Sequence, residues 1–151
     1  MKFHDKTQVF ALISLLISTQ LSGGIARASV TSFEQGYLLV GRELIMVEFA
    51  QTKDEQRTGL SNRALNASNS FMVFIYDQPQ QVSFWMKNTR KDLSIAFVDA
   101  GNKIIQIENL KAKSLKIVKS KSSQIKYAFE VPKGYFAVNN IKIGDELVIF
   151  K

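Results

Sequence analysis

The chain has 151 residues, a formal net charge of +7 and no cysteine. The lack of cysteine excludes disulfides, thiol catalysis, zinc–thiolate sites and iron–sulfur clusters. The single histidine is His4, so beyond the first few residues histidine-based hydrolysis and histidine metal sites are excluded as well. We therefore predict no metal site and no cofactor. Any chemistry must use carboxylates, lysines, arginines, hydroxyls or tyrosines.

The first 28 residues have the three parts of a secretory signal peptide. Lys2 and Lys6 give a positive start, residues 9–17 form an apolar run, and the segment ends in the small-x-small tripeptide Ala26-Arg27-Ala28. The apolar run is shorter than the roughly 20 residues of a membrane-spanning helix. We predict cleavage after Ala28 and export to the periplasm or beyond, with no transmembrane segment left in the mature chain.

The predicted mature chain, residues 29–151, has the length of one ordinary domain. We assign residues 29–36 to a linker and residues 37–151 to a single domain. Removing residues 1–28 leaves a net charge of about +5, which favours anionic partners.

The elements of this domain follow from hydrophobic pattern and turn residues. Thr52 and Glu55 have the spacing of a capping box, which predicts a short helix that ends near Gly59. Residues 61–70 and 111–124 are predicted loops. The predicted strands lie in residues 37–50 (two strands separated at Gly41-Arg42), 71–76, 82–89, 93–99, 103–108, 125–131 and 146–150.

This succession predicts a mainly β (α+β) fold. Seven or eight short strands with one or two short helices indicate a small antiparallel barrel or a sandwich-like sheet. Residues 71–76 are apolar on both faces and predict a buried strand. Residues 125–131 alternate: one face is predicted to carry Ile125, Tyr127, Phe129 and Val131, and the other Lys126, Ala128 and Glu130.

The strand predicted over residues 82–89 has two distinct faces. The core face carries Val82, Phe84 and Met86. The other face places Trp85 between the hydroxyl of Ser83 and the ammonium of Lys87. An aromatic surface beside a cation and hydroxyls suits a sugar ring or a small anion. We hypothesise a polar-aromatic site formed by Trp85 and Lys87, with Asn88 and Asp92 at its rim. The alternative is that Trp85 is a second core layer and Lys87 extends past it to water.

Two arginines flank the predicted helix end. Arg57 and Arg63 could clamp a carboxylate or a phosphate, or they could form salt bridges with Glu48 or Asp54. A glycosidase needs two carboxyl groups facing one another, and spacing alone does not bring any two together among Glu48, Asp92, Asp99, Glu108, Glu130 and Asp145.

A basic run without acidic residues extends from Lys111 to Lys126. Such a run can contact an anionic envelope surface, made of lipid headgroups or glycans. The alternative is a solvated loop. No stacking aromatic motif accompanies the lysines, so we expect no nucleic acid partner.

Four motifs, in this order and spacing, resemble the family called domain of unknown function 192 (DUF192). The resemblance covers about residues 44–150 and implies a small β-rich domain, often exported, with no established activity. The motifs are Arg57-Thr58-Gly59-Leu60-Ser61-Asn62-Arg63, Ser83-Phe84-Trp85-Met86-Lys87-Asn88-Thr89, Phe129-Glu130-Val131-Pro132-Lys133-Gly134 and Ile143-Gly144-Asp145.

Three functions remain open at this point. The leading hypothesis is a non-catalytic binding or accessory module of the cell envelope, for a small polar or anionic ligand or a partner protein. The second is a hydrolase without histidine or cysteine that acts on envelope glycans. The third is a purely structural interaction module. A close pair of carboxylates beside Trp85 favours the hydrolase, whereas an open basic-aromatic groove without such a pair favours binding.

Overall fold

The computed structural model describes residues 32–151, so the predicted signal peptide and its cleavage site lie outside the described residues. The mainly β fold with short helices is confirmed. No helix of the described part is long and apolar enough to cross a membrane. The elements between residues 32 and 151 are β1 (Glu34–Val40), β2 (Glu43–Ala50), α1 (Lys53–Thr58), β3 (Met72–Gln80), β4 (Ser83–Phe84), β5 (Leu93–Asp99), β6 (Ile104–Leu110), β7 (Val118–Lys119), β8 (Ile125–Pro132), α2 (Tyr135–Val138) and β9 (Leu147–Phe150).

Seven of the described strands form one curled sheet in the order β6-β5-β8-β3-β2-β1-β9. Its pairings are antiparallel apart from β2 and β3, which run parallel with Phe49 opposite Val73. The two edge strands approach each other where Lys103 forms an isolated bridge with Glu146. The sheet is therefore a half-barrel. Strands β4 and β7 form a separate antiparallel pair, which we call the ribbon.

The central strands β3, β5 and β8 are buried on both faces. On one face, Val73 and Phe129 pack in a cluster that includes Phe136 of α2. On the other face, Phe74 and Phe97 pack in a cluster that also holds residues of the ribbon. Burial on both sides explains why residues 71–76 are apolar throughout, without the alternation of a half-buried strand.

Strand β1 begins inside the segment that was predicted as a linker, residues 29–36. It starts at Glu34 and pairs with both β2 and β9. Gly36 lies so close to its neighbours that a Cβ atom there would stand 2.6 Å from the ring of Phe49. This close packing places residues 34–36 in the sheet.

The prediction of one strand over residues 82–89 is wrong in its length. Strand β4 ends at Phe84. Asn88 has a left-handed backbone, φ 63°, and the N–H of Thr89 donates to the carbonyl of Met86 at 3.0 Å. Asparagine tolerates this conformation better than most residues, so the chain turns here and Thr89 becomes buried, not exposed as alternation predicted.

A register shift changes the predicted faces of β8. Its pairing with β5 shifts between Val98 and Asp99, as happens at a β-bulge. As a result Ile125 packs in the same cluster as Ala128, on the face opposite Phe129. Ala128 and Glu130, predicted to share a face with Lys126, are both buried.

Strand β3 continues past Asp77, where the prediction ended it, and reaches Gln80. Its pairing with β2 stops at Phe74, so the end of β3 has an open side. Pro79 is tolerated there because proline, which lacks an N–H, is confined to strand positions without a ladder bond.

Candidate functional site

A cavity of about 380 Å³ opens beside Trp85, between α1, the end of β3 and the ribbon strand β4. We call it the Trp85 cavity. Trp85 forms one wall and is 52% exposed, so the alternative that placed it in a second core layer is excluded. The other lining residues include the buried Tyr76 and Glu130, the rim cations Lys53 and Arg57, and the hydroxyl residues Thr58, Ser61, Ser83 and Thr89.

Helix α1 positions the cationic rim, and its predicted capping box is confirmed. The N–H of Glu55 donates to the Thr52 hydroxyl at 3.2 Å, and the N–H of Thr52 donates to the Glu55 carboxylate at 2.8 Å. Backbone N–H donors of Thr52 and Gln51 hold the pKa of Glu55 below its ordinary value. The helix ends at Gly59, whose φ of 47° suits glycine, and the chain then follows the cavity wall.

Trp85 faces solvent because the residue before it, Phe84, is packed in the core. The ring of Phe84 lies 4.9 Å from that of Phe74 and 5.9 Å from that of Phe97, centroid to centroid. The buried hydroxyl of Ser120 accepts a hydrogen bond from the N–H of Val82 at 3.0 Å. Phe84 is directed inward, and the residue that directly follows it, Trp85, is directed outward.

Glu130 lies deep in the Trp85 cavity and is 4% exposed. It stands opposite Met72 on β3 and Ile95 on β5, both apolar. Within residues 32–151 its carboxyl group has no ion pair or side-chain hydrogen bond. In this part of the chain every side-chain oxygen that is fully buried has a hydrogen-bond partner, so the carboxyl oxygens of Glu130 cannot be fully buried. They are therefore exposed to the cavity.

Burial sets the charge of the cavity interior. Desolvation raises the pKa of Glu130 to about 8, so at neutral pH this group is mainly an uncharged acid that can both donate and accept a hydrogen bond. Burial, followed by the nearby Glu130 charge, raises the pKa of Tyr76 well above its ordinary value. Its hydroxyl therefore keeps its proton and remains a donor.

The structure brings Trp85 and Lys87 together, as hypothesised. The Lys87 ammonium lies 5.4 Å from the centre of the Trp85 ring, within the range of a cation–π contact. Lys87 and Asn88, however, line a second cavity of about 630 Å³, together with Asn62, Arg90, Lys113 and Leu115. We call it the lysine cavity. The polar-aromatic region thus comprises two adjacent depressions instead of one.

Asp92 lies outside both cavities. Its carboxylate accepts hydrogen bonds from the N–H of Ala112 at 2.8 Å and from the ammonium of Lys133 at 3.2 Å. These two bonds, the backbone one first, lower the pKa of Asp92. This geometry makes Asp92 an anchor between two loops, and it places the residue away from the rim that we hypothesised.

The two arginines do not form a clamp. Arg57 lies at the rim of the Trp85 cavity and pairs with Asp54. Arg63 points elsewhere: it forms a two-bond ion pair with Glu48, with Nη2 2.9 Å from Oε1, and its guanidinium lies 5.5 Å from the ring centre of Phe33. The alternative prediction, that these arginines form salt bridges with Glu48 or Asp54, is therefore confirmed.

We expect Arg63→Ala to destabilise the fold. The pair is largely buried, with side-chain exposures of 24% for Arg63 and 14% for Glu48, so the substitution leaves a carboxylate without its partner in a poorly solvated position. We expect a loss of roughly 2–3 kcal/mol in the free energy of unfolding, measured by urea denaturation.

The matched control is Arg57→Ala. Its pair with Asp54 is 79% and 82% exposed, and exposed pairs contribute little. We expect Arg57→Ala to leave the urea midpoint nearly unchanged. Equal effects of the two substitutions would contradict the structural role that we give to Arg63.

Sequence reasoning did not find the interior of the Trp85 cavity. Glu130 was one of six candidate carboxylates, and alternation placed it on a polar face. The local signal was that Glu130 stands between Phe129 and Val131, followed by Pro132, in a largely apolar stretch; its pairing with the apolar strand β3 is seen only in the fold. An acid in a strand that is buried on both sides is a candidate for a perturbed pKa.

These features define a small β-rich domain built on a half-barrel, with a polar-aromatic cavity between a short helix and a ribbon. The model of the family DUF192, described as "Uncharacterized ACR, COG1430", matches residues 38–149. The chain belongs to this family, as its sequence motifs indicated. No curated protein is significantly similar to the chain in sequence.

Two crystal structures share the fold. A protein of unknown function from Novosphingobium aromaticivorans DSM 12444 is 26% identical, with a TM-score of 0.72, over 84% of this chain and 94% of that one. A protein from Sinorhizobium meliloti 1021, described as a candidate transcription regulator, is 26% identical, with a TM-score of 0.75, over 80% of this chain and 98% of that one. Neither the family nor these neighbours carries an established binding or catalytic role.

Proposed function

We propose that this chain is an exported, non-catalytic binding module of the cell envelope, and that the Trp85 cavity takes a small polar ligand, in the first place an acidic sugar. The observation that carries the proposal is the half-exposed Trp85 as one wall of a cavity whose interior offers uncharged hydrogen-bonding groups and whose rim is cationic. Export follows from the signal peptide predicted over residues 1–28.

Each part of the cavity suits one part of such a ligand. The Trp85 ring offers an apolar surface on which a sugar ring can stack. The hydroxyls of Ser83 and Tyr76 and the protonated Glu130 can bond to the sugar hydroxyls. Lys53 and Arg57 at the rim attract a carboxylate or a phosphate.

The same cavity favours binding over hydrolysis. Among its lining residues only Glu130 carries a carboxyl group, whereas glycoside hydrolysis needs two that face the bond to be broken. The proposal does not include DNA recognition through a major-groove helix, which the description of the Sinorhizobium neighbour could suggest. The helices of the described part have only six and four residues, too few for a recognition helix.

We expect Trp85→Ala to weaken the binding of glucuronate, our probe, by up to about tenfold, because stacking on an aromatic ring contributes roughly 0.5–1.5 kcal/mol. The ring is half exposed, so the free energy of unfolding should change by less than about 1 kcal/mol. Calorimetric titration measures the first quantity and urea denaturation the second.

Three comparisons sharpen this experiment. Trp85→Phe retains an aromatic surface and should restore part of the affinity. Glucose, which lacks the carboxylate, should bind more weakly than glucuronate to the wild type. Lys87→Ala should leave the melting temperature nearly unchanged, since the side chain is exposed, and should weaken binding through the loss of the cation beside the ring. If Trp85→Ala binds glucuronate as the wild type does, or if the wild type binds neither sugar, the proposal fails.

A further inference from the structure

Three large apolar side chains are exposed on the segments that adjoin the ribbon, directly after β4 and before β7. Trp85 is 52% exposed, Leu115 67% and Ile117 62%. They are neighbours in the fold: Phe84 pairs with Val118, so Trp85 and Ile117 are the residues next to that pair, and the N–H of Met86 bonds to the carbonyl of Ser114 at 3.0 Å. We call these three side chains the apolar tip. Clustered apolar exposure of this kind marks an interaction surface.

Cations surround the apolar tip. Lys87, Arg90 and Lys113 line the lysine cavity, whose wall includes Leu115. Lys116, also exposed, lies between the two aliphatic residues of the tip in the chain. Residues 111–126 contain no aspartate or glutamate, so within this segment no acidic side chain offsets the positive charge.

We propose that this surface docks on a membrane that contains anionic phospholipids, with the apolar tip inserted among the headgroups and a lipid phosphate held in the lysine cavity. Tryptophan favours the headgroup region of a bilayer. Burial of leucine and isoleucine side chains at the boundary between headgroups and acyl chains is favourable, and lysines are attracted to the negative membrane surface.

The composition of the tip decides between lipid and an anionic glycan. A glycan chain offers anionic groups and hydroxyls but no apolar interior, so it would leave Leu115 and Ile117 in water. A bilayer offers anionic headgroups to the lysines and an apolar interior to Leu115 and Ile117. The inference shares Trp85 with the proposed sugar site, but it rests otherwise on the lysine cavity and on residues 113–117, which do not line the Trp85 cavity.

Trp85 is the only tryptophan in the sequence and reports on its own burial. We expect its fluorescence maximum to shift to the blue when vesicles of phosphatidylglycerol and phosphatidylcholine are added, because tryptophan favours the bilayer interface, and brominated acyl chains should quench it. Vesicles of phosphatidylcholine alone should leave the emission unchanged. Contact of residues 1–31 with lipid does not produce this signal, since that segment contains no tryptophan.

Three variants, all retaining Trp85, test the surface. K113E/K116E should abolish the blue shift, and L115S/I117S should reduce it strongly. R42E/K142E, which changes the same charge at exposed residues away from the ribbon, should behave as the wild type.

Three results would overturn the proposal: no blue shift of the wild type with anionic vesicles, an equal blue shift with neutral vesicles, or an equal loss of the blue shift in R42E/K142E and K113E/K116E. Retention of the shift in L115S/I117S, together with binding to a soluble anionic polysaccharide, would identify a glycan surface instead. Glucuronate binding by K113E/K116E should persist, which separates this test from that of the sugar site.

Discussion

Replacing Glu130 by glutamine should raise the free energy of unfolding by roughly 5 kcal/mol at pH 9 and by only about 1 kcal/mol at pH 5. Glutamine has nearly the same shape as the protonated acid and cannot ionise. The substitution therefore removes the cost of a buried negative charge without opening a hole in the cavity wall.

The sign of the pH dependence follows from the two pKa values. Burial raises the pKa of Glu130 from 4.5 to about 8 in the folded chain. Between these values the folded protein keeps the proton and the unfolded chain releases it, so stability falls as pH rises and levels off above about pH 8. Well below pH 4.5 both states are protonated and the group has no effect.

Urea denaturation of the wild type and Glu130→Gln at pH 5, 7 and 9 measures this difference. Asp77→Asn, at an exposed carboxylate, is the control and should follow the wild type at each pH. If wild type and Glu130→Gln have parallel pH profiles, the carboxyl group is solvated and the uncharged cavity interior that we describe is incorrect.

Replacing Phe84 by alanine should cost roughly 3–4 kcal/mol of stability and should also loosen the ribbon. Its ring packs against those of Phe74 and Phe97 and is the main contact of β4 with the core. Amide exchange should therefore accelerate at Met86 and Ser120, whose N–H groups donate to the carbonyls of Ser114 and Val82 and so join the two arms of the ribbon. Because Trp85 directly follows β4, binding of glucuronate should weaken as well.

Phe136→Ala is the matched control. Phe136 is equally aromatic and buried, and its ring packs against that of Phe129 at 5.8 Å on the opposite face of the sheet. We expect a similar loss of stability with no selective change in exchange at Met86 or Ser120. If both variants loosen the ribbon to the same degree, Phe84 is an ordinary core residue and does not position Trp85.

Local signals in the sequence were sufficient for most elements of the fold. The capping box at Thr52 and Glu55 is present as predicted, and so is the turn at Gly41-Arg42 between β1 and β2. These features depend on neighbours within a few residues, where spacing and side-chain chemistry determine the conformation.

The pairings between strands distant in the chain could not be predicted from the sequence. The parallel contact of β2 with β3, the short ribbon inside the predicted loop over residues 111–124 and the shift that turns Ile125 to the other face all depend on strands distant in the chain. The same limit applied to the site. Alternation correctly directed Trp85 outward, but only the pairing of β8 with β3 and β5 places Glu130 behind it.

The central claim is that the Trp85 cavity binds a small polar ligand, and an NMR titration of the chain with glucuronate tests it most directly. We predict saturable shifts at the backbone amides of Thr58, Gly59 and Ser83 and at the indole N–H of Trp85, all of which line the cavity. Amides of α2, on the opposite face of the sheet, should not move. Shifts that are absent, unsaturable or spread over both faces would contradict the account.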